Sequence, residues 1–216
     1  LDPETFSCLK TMAAAIEVVS RERIRDEVFK IFQTPKAQEA LLLIQSSGLY
    51  SPVFFFDFFE SALKLFQALP AQISPELKLL SLHPQPEVAA LRAMIDHFKL
   101  SGRQAQRILF THELTLTFSK LPEARLALQK RVFRNPDFEE AFLFLKAFQP
   151  LMAPENGGAL SFLSQQYESQ KECLHPPRLI SGEDLKKVNL APSPLFKLIL
   201  EEIEKQIPGF PIVLHG

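Results

Sequence analysis

Six times along this chain a short polar residue is followed directly by proline: Asp2-Pro3, Thr34-Pro35, Ser51-Pro52, Ser74-Pro75, Asn135-Pro136 and Ser193-Pro194. At a helix N-cap a polar side chain accepts one of the free backbone N–H groups, and proline at the first helical position has no N–H to leave unpaired and a φ already near helical. Each pair therefore reads as a helix start. Most of the six lie close before a stretch of helical periodicity, so 17 prolines, ordinarily an argument against a helical protein, become its punctuation.

Between these marks the apolar residues recur at helical spacing. Ile24, Val28, Phe29, Ile31 and Phe32 share one face, while Arg21, Arg25, Asp26 and Lys30 fall largely on the other. Similar segments run from about Lys36 to Gln45, Val53 to Ala68, Glu87 to Phe98, Arg103 to Phe118, Glu123 to Phe133, Asp137 to Phe148, Ala159 to Tyr167, Glu183 to Val188 and Leu195 to Ile207. Only Leu114 to Phe118 and Pro211 to Leu214 have a strand-like pattern, and isolated pieces that short form no independent sheet. The fold class is all-α. Loops are expected at Pro150 to Gly158, where Pro154, Asn156, Gly157 and Gly158 gather, and at Leu174 to Leu179 around Pro176-Pro177.

With 216 residues and 46% hydrophobic content the chain can bury a substantial core. Its formal net charge is −1, which gives no long-range field for a polyanion, so a nucleic-acid role must rest on a locally basic face. Cys8 and Cys173 are too far apart to read as a metal or redox pair, and a reducing cytoplasm suits them. No apolar run approaches the roughly 18 residues needed to span a bilayer, and the N-terminus lacks the order of a signal peptide. Because the first residue is Leu1 and a helix-start signal follows at once, the chain is expected to be part of something longer.

Three segments carry a likeness to known proteins. Leu1-Asp2-Pro3-Glu4-Thr5 resembles an "(I/L)DPET" helix opening, Ser20 to Glu27 fits S-x-E-R-x-x-x-E, and Ile180 to Val188 is similar to "(I/V)SGxD(L/I)xxxG". In that order they resemble the neck and tail of the class II tRNA nucleotidyltransferases and their bacterial poly(A) polymerase relatives. The resemblance implies a multi-helix neck and body with a small helical tail module: neck at 1–50, body at 51–150, linker and connecting helix at 151–177, and tail at 178–216. Where the tail pattern usually has glycine, this chain has Asn189, Ser193 and Lys197. Glycine lets backbones approach closely, so whatever contact it allows there is in question.

The resemblance further implies a tRNA-positioning portion of a CCA-adding or poly(A)-adding enzyme, with Ser20, Glu22, Arg23 and Glu27 supporting the helix that reads the incoming nucleotide. The partners expected are tRNA or another structured RNA, a catalytic head in cis or in trans, and a second copy of the chain as a further candidate. The family's catalysis needs a Gly-Ser loop and an Asp-x-Asp pair holding magnesium, since two-metal phosphoryl transfer requires closely spaced oxygen ligands. Neither motif occurs in this sequence. No nucleotidyl transfer is expected from this chain alone, and magnesium is expected only on the head.

Read from the residues, the RNA candidates are Arg103 and Arg107 on one helical face, Arg125, Lys130, Arg131 and Arg134 on a second, and Lys186, Lys187 and Lys197 in the tail. Such side chains grip phosphate without reading sequence. The plainer reading of each is a solvated face, and Arg23 with Glu27 can be a surface pair worth about 0.2–0.5 kcal/mol. Neighbours on a helix point apart, so Asp96-His97 is no catalytic pair, and Cys173 with His175 lacks an orienting third group. The run Phe54-Phe55-Phe56-Asp57-Phe58-Phe59 invites base stacking, yet aromatics pointing all round a helix are expected to be mostly buried. The competing class of function is an all-helical protein-interaction scaffold without a nucleic-acid role.

Overall fold

In the computed structural model residues 2–174 are described, with side chains through Gln170. The contacts divide the chain into two units, residues 1–171 and 172–216, and the architecture below belongs to the first. It is all-α: among the described residues there are eleven α-helices, three short 3-10 helices and no strand. The tail segments, including the helices expected at Glu183 to Val188 and Leu195 to Ile207 and the strand-like Pro211 to Leu214, lie outside the described residues.

The opening follows from its caps. Helix α1 (Pro3–Met12) starts at Asp2, whose carboxylate accepts the Thr5 N–H at 2.9 Å. The Thr5 side chain, and then this backbone N–H, hold the carboxyl of Asp2 below its ordinary pKa. A 3-10 helix (Ala13–Val18) leads to α2 (Arg21–Phe32), capped by Ser20, whose hydroxyl accepts the Arg23 N–H at 3.5 Å. Ile24, Val28 and Phe32 are the buried stripe of α2, the i, i+4, i+8 series that its periodicity predicts.

Helix α3 (Ala37–Ser46) begins two residues past Pro35, and α4 (Tyr50–Phe54) already contains Ser51-Pro52. These two dipeptides mark their helices but do not cap them. The run expected to be helical from Val53 to Ala68 breaks at Phe55, which takes a left-handed φ of 56°, and helix resumes as α5 (Glu60–Ala68). Five phenylalanines in the six positions 54–59 cannot all reach one core. The chain instead turns out of the helix and buries Phe54 while leaving Phe55 and Phe59 exposed.

The body is built from α5, α6 (Pro75–Ser81), α7 (Val88–His97), α8 (Gly102–Thr117), α9 (Leu126–Phe133) and α10 (Phe138–Met152). Helix α10 packs on α8 and α5, while α6 lies against α8, α5 and α2. Phe138, Ala141, Phe144, Leu145 and Phe148 of α10 are almost fully buried, and burying each of the Phe and Leu side chains is worth about 1.5–3 kcal/mol. Leu114 to Thr117, read as strand-like, is the end of α8, and Phe118 opens a 3-10 helix. Leu114 and Thr115 are simply two of its buried positions, since an apolar run that short does not by itself distinguish strand from buried helix.

The loop expected at Pro150 to Gly158 is nearly absent. Helix α10 runs through Pro150 to Met152, a 3-10 turn covers Pro154–Asn156, and α11 (Gly157–Leu174) starts at the glycines. Only Ala153 leaves helical geometry. The Gln149 amide donates to the carbonyls of Ala153 at 2.9 Å and Pro154 at 3.1 Å, which satisfies the oxygens that a sharp turn exposes.

Candidate nucleic-acid interface

The four neck residues sit together on α2. Ser20 is its N-cap, Glu22 and Arg23 are exposed, and Glu27 pairs with Lys30 at 2.8 Å, not with Arg23. That pair draws the Lys30 pKa upward, though both side chains are about 70% exposed and the contact is correspondingly weak. Above it runs a groove of about 490 Å³ between α2, the first 3-10 helix, α3 and α4, with Ile16, Val19, Ile24, Ile31 and Val53 as apolar walls and Arg23 on its rim.

Three cationic side chains, none of them a site candidate from the sequence, fix α2 to its neighbours. Arg21 donates to the Pro52 carbonyl at 3.1 Å, and Arg25 to the Lys99 carbonyl at 2.7 Å. Lys78, buried on α6, donates to Phe32 O at 2.9 Å and Ala71 O at 3.3 Å, so an ammonium closes the C-terminal end of α2. Burial lowers the Lys78 pKa. A buried lysine was legible as an oddity only once its neighbours were known, because nothing around Lys78 in sequence marks it.

His97 lies in the same region. Its Nε2 is 2.9 Å from Val53 O and 3.4 Å from the Arg21 guanidinium. One nitrogen cannot donate to the first and accept from the second, so the shorter contact sets the Nε2–H tautomer and the Arg21 hydrogen goes to Pro52. Desolvation lowers the His97 pKa, with the bond to Val53 opposing and the charges of Arg21 and Lys99 adding. Asp96 is exposed and takes no part, as adjacent helical positions require.

The basic candidates divide. On α8, Arg103 makes a two-pronged pair with Asp137 at 2.7 and 2.9 Å. Arg107 reaches Glu76 at 2.8 Å, Asp137 at 3.0 Å and Glu140 at 3.2 Å, and Glu140 accepts the Ser74 N–H. Asp137 and Glu76 are buried, so these arginines neutralise carboxylates that would otherwise sit unpaired in the core. The Arg107 pKa is raised: desolvation opposes, but the Asp137 bond and the surrounding carboxylates outweigh it.

Around α9 the picture reverses. Arg125 precedes the helix, Lys130 and Arg131 lie in it, and Arg134 follows, with no acidic residue from 125 to 134. Among the described residues none of the four has a carboxylate within 4 Å. Arg125 and Arg131 are exposed, Lys130 and Arg134 half-buried, and Leu126 and Leu128 stand in solvent beside them. Lys186, Lys187 and Lys197 lie outside the described residues, as do the side chain of Cys173 and His175.

Asp-x-Asp is missing from the sequence, and among the described residues no three His, Cys, Asp or Glu side chains converge. No described helix is long and apolar enough to cross a membrane.

No curated protein and no solved structure matches the chain. Residues 1–56, which fold as α1 to α4 and carry the Ser20 cap, the charged face of α2 and the groove, match a family model described as "Probable RNA and SrmB- binding site of polymerase A", and this supports a poly(A) polymerase-related RNA-binding region in that segment.

Proposed function

We propose that the chain holds a structured RNA, of tRNA type, so that its 3′ end can be extended by a nucleotidyltransferase head, in CCA addition or poly(A) addition. The observation that carries this reading is the match of residues 1–56 to an RNA-binding segment of polymerase A. Its α2 offers Glu22, Arg23 and Glu27 to solvent from a helix capped by Ser20 and clamped below by Arg21, Arg25 and Lys78. A rigid helix of this kind suits the support of a nucleotide-reading element. The phosphate-gripping residues would be Arg125, Lys130, Arg131 and Arg134, with Lys186, Lys187 and Lys197 of the tail. Arg107 is left out, because its charge is balanced by three carboxylates, and Arg103 contributes at most through the half of it that faces water. Recognition would rest on RNA shape and backbone, with affinity falling steeply as salt rises. Any magnesium chemistry would belong to the head.

The test is a titration of the chain with a tRNA at rising salt. Binding that is tighter than to an unrelated acidic polymer, and that weakens with a log–log slope of several units, supports the proposal; equal affinity for the two polyanions ends it. A protein-interaction scaffold is the second reading, favoured by the apolar groove and by Val18, Leu42 and Leu43 in solvent beside it. It predicts that Val18→Asp abolishes capture of a protein partner while leaving RNA affinity untouched.

A further inference from the structure

Among the described residues two non-glycine residues have positive φ, Phe55 at 56° and Lys99 at 47°. Both follow helix ends: the Phe55 N–H bonds to Ser51 O at 2.7 Å after α4, and Leu100 N–H bonds to Ile95 O at 3.1 Å around Lys99 after α7. Glycine fills such positions without strain, as Gly48 does after α3 at a φ of 77°. A bulky side chain kept there at a cost suggests that the side chain has a use.

The two strained residues border one surface. The Phe55 ring lies 4.7 Å from the imidazole of His97, and Lys99 is close enough for its charge to oppose protonation of that imidazole. From Phe55 the rings continue to Phe56 at 5.7 Å, and Phe56 stacks on His83 at 4.9 Å with planes 15° apart. Phe59 lies 6.5 Å from the same imidazole and nearly parallel to it. Phe55 is 39% and Phe59 47% exposed, so two aromatic faces are open to solvent at the edge of an otherwise packed array. Arg21 and Arg25 flank it, Arg25 through its bond to Lys99 O. Of the nearby acids, Asp26 is held by Arg25 at 2.8 Å, while Asp57 and Asp96 are exposed.

Rings open on one face beside cations are what unpaired bases and their phosphates require, since every base has a π-face to stack and every linkage a charge to hold. We propose that Phe55 and Phe59, backed by His83 and His97 and edged by Arg21 and Lys99, form a stacking strip for single-stranded RNA. The strip extends the RNA-holding reading above, on which it rests, from a folded RNA body to an unpaired segment. It starts at the C-terminal end of the matched residues 1–56.

The test uses the whole chain and fluorescence anisotropy with three probes: a 20-mer of adenylate, an abasic oligomer of the same length, and a tRNA. Phe55→Gly and Phe59→Ser should each weaken binding of the adenylate 20-mer by about tenfold and leave tRNA affinity within about twofold. Lys99→Gly should lower the salt slope for the 20-mer by about one. Because glycine relieves the left-handed strain, Phe55→Gly and Lys99→Gly should not lower the thermal midpoint by more than a few degrees; if Phe55→Gly does, Phe59→Ser decides the matter, since Phe59 has ordinary extended φ and an exposed ring. The strip is refuted if both Phe variants bind the 20-mer like wild type, or if wild type binds the abasic oligomer as tightly as the adenylate one, with tRNA binding intact in either case. Should wild type bind neither RNA, the broader reading fails first and the strip with it.

Discussion

Helices α8 and α9 carry similar arginines to different ends. On α8, Arg103 and Arg107 face Asp137, Glu76 and Glu140, and two positive charges meet three negative ones. Around α9, Arg125, Lys130, Arg131 and Arg134 meet no carboxylate among the described residues. A charge written in the sequence is therefore not the same as a charge available to a ligand. What separates the two helices is what lies beneath them: α8 buries Ile108, Thr111, His112, Leu114 and Thr115, whereas α9 buries only Gln129 and Phe133. A deeply seated helix brings its polar rim against the neighbouring elements, where carboxylates must be matched. A short, shallow one leaves Arg125 and Arg131 of its rim in water and Lys130 and Arg134 half-buried without a carboxylate among the described residues.

The contrast can be broken most forcefully at Asp137. Asp137→Ala leaves Arg107 half-buried beside fewer carboxylates and frees Arg103, and should cost about 3 kcal/mol in urea unfolding. A loss below about 1 kcal/mol would mean that the α8 arginines are not committed at all. Next in size, the double variant Arg125→Ala with Arg131→Ala should lower RNA affinity about tenfold and the salt slope by about two, while its unfolding free energy stays within about 0.5 kcal/mol of wild type. Destabilisation without loss of RNA binding would place α9 in the same class as α8.

The buried side of α8 can be probed with acid. His112 Nε2–H donates to the Pro86 carbonyl at 2.9 Å, because a carbonyl oxygen can only accept. Desolvation lowers the pKa of His112, and likewise those of His83 and His97, below the ordinary 6.5. The unfolded chain then binds more protons than the folded one below about pH 6.5, so stability present at pH 7 is lost as the pH falls through 6.5 toward the lowered folded values. The thermal midpoint should drop by a few degrees between pH 7 and pH 5, and less so in His112→Gln; an identical drop in the two proteins would remove His112 from the account. The smallest effect is expected at the cap of α2, where Ser20→Ala should cost about 0.5 kcal/mol, at the low end for a cap because the 3.5 Å bond is long. If RNA affinity falls further than stability does, the signature residues act together and not as separate surface charges.

The all-helical class was legible because it depends on local terms. Asp2 and Ser20 cap the helices they head, and Ile24, Val28 and Phe32 mark the buried stripe of α2 by spacing alone. Even where the polar-proline pairs stand a residue or two off the true start, as Thr34-Pro35 and Asn135-Pro136 do, they announce a helix close by. The Phe54 to Phe59 run was misjudged because periodicity measures what a helix would bury, not whether the body has room for it. Phe54 fits, Phe55 does not, and the chain leaves the helix at that residue. The loop expected after residue 150 failed for a related reason: Gln149 supplies, from inside α10, the donors that let the turn shrink to one residue.

Local sequence, then, determined that this chain is helical, where most of its helices begin, and which stripe of each is apolar, since caps and periodicity act over three or four residues. Tertiary structure alone decided which basic side chains stay available. The partners of Arg103 and Arg107 stand about thirty positions away, and Lys78 meets the end of α2 across 46 residues. Coulomb energy depends on distance in space and on burial, neither of which adjacency in a sequence records.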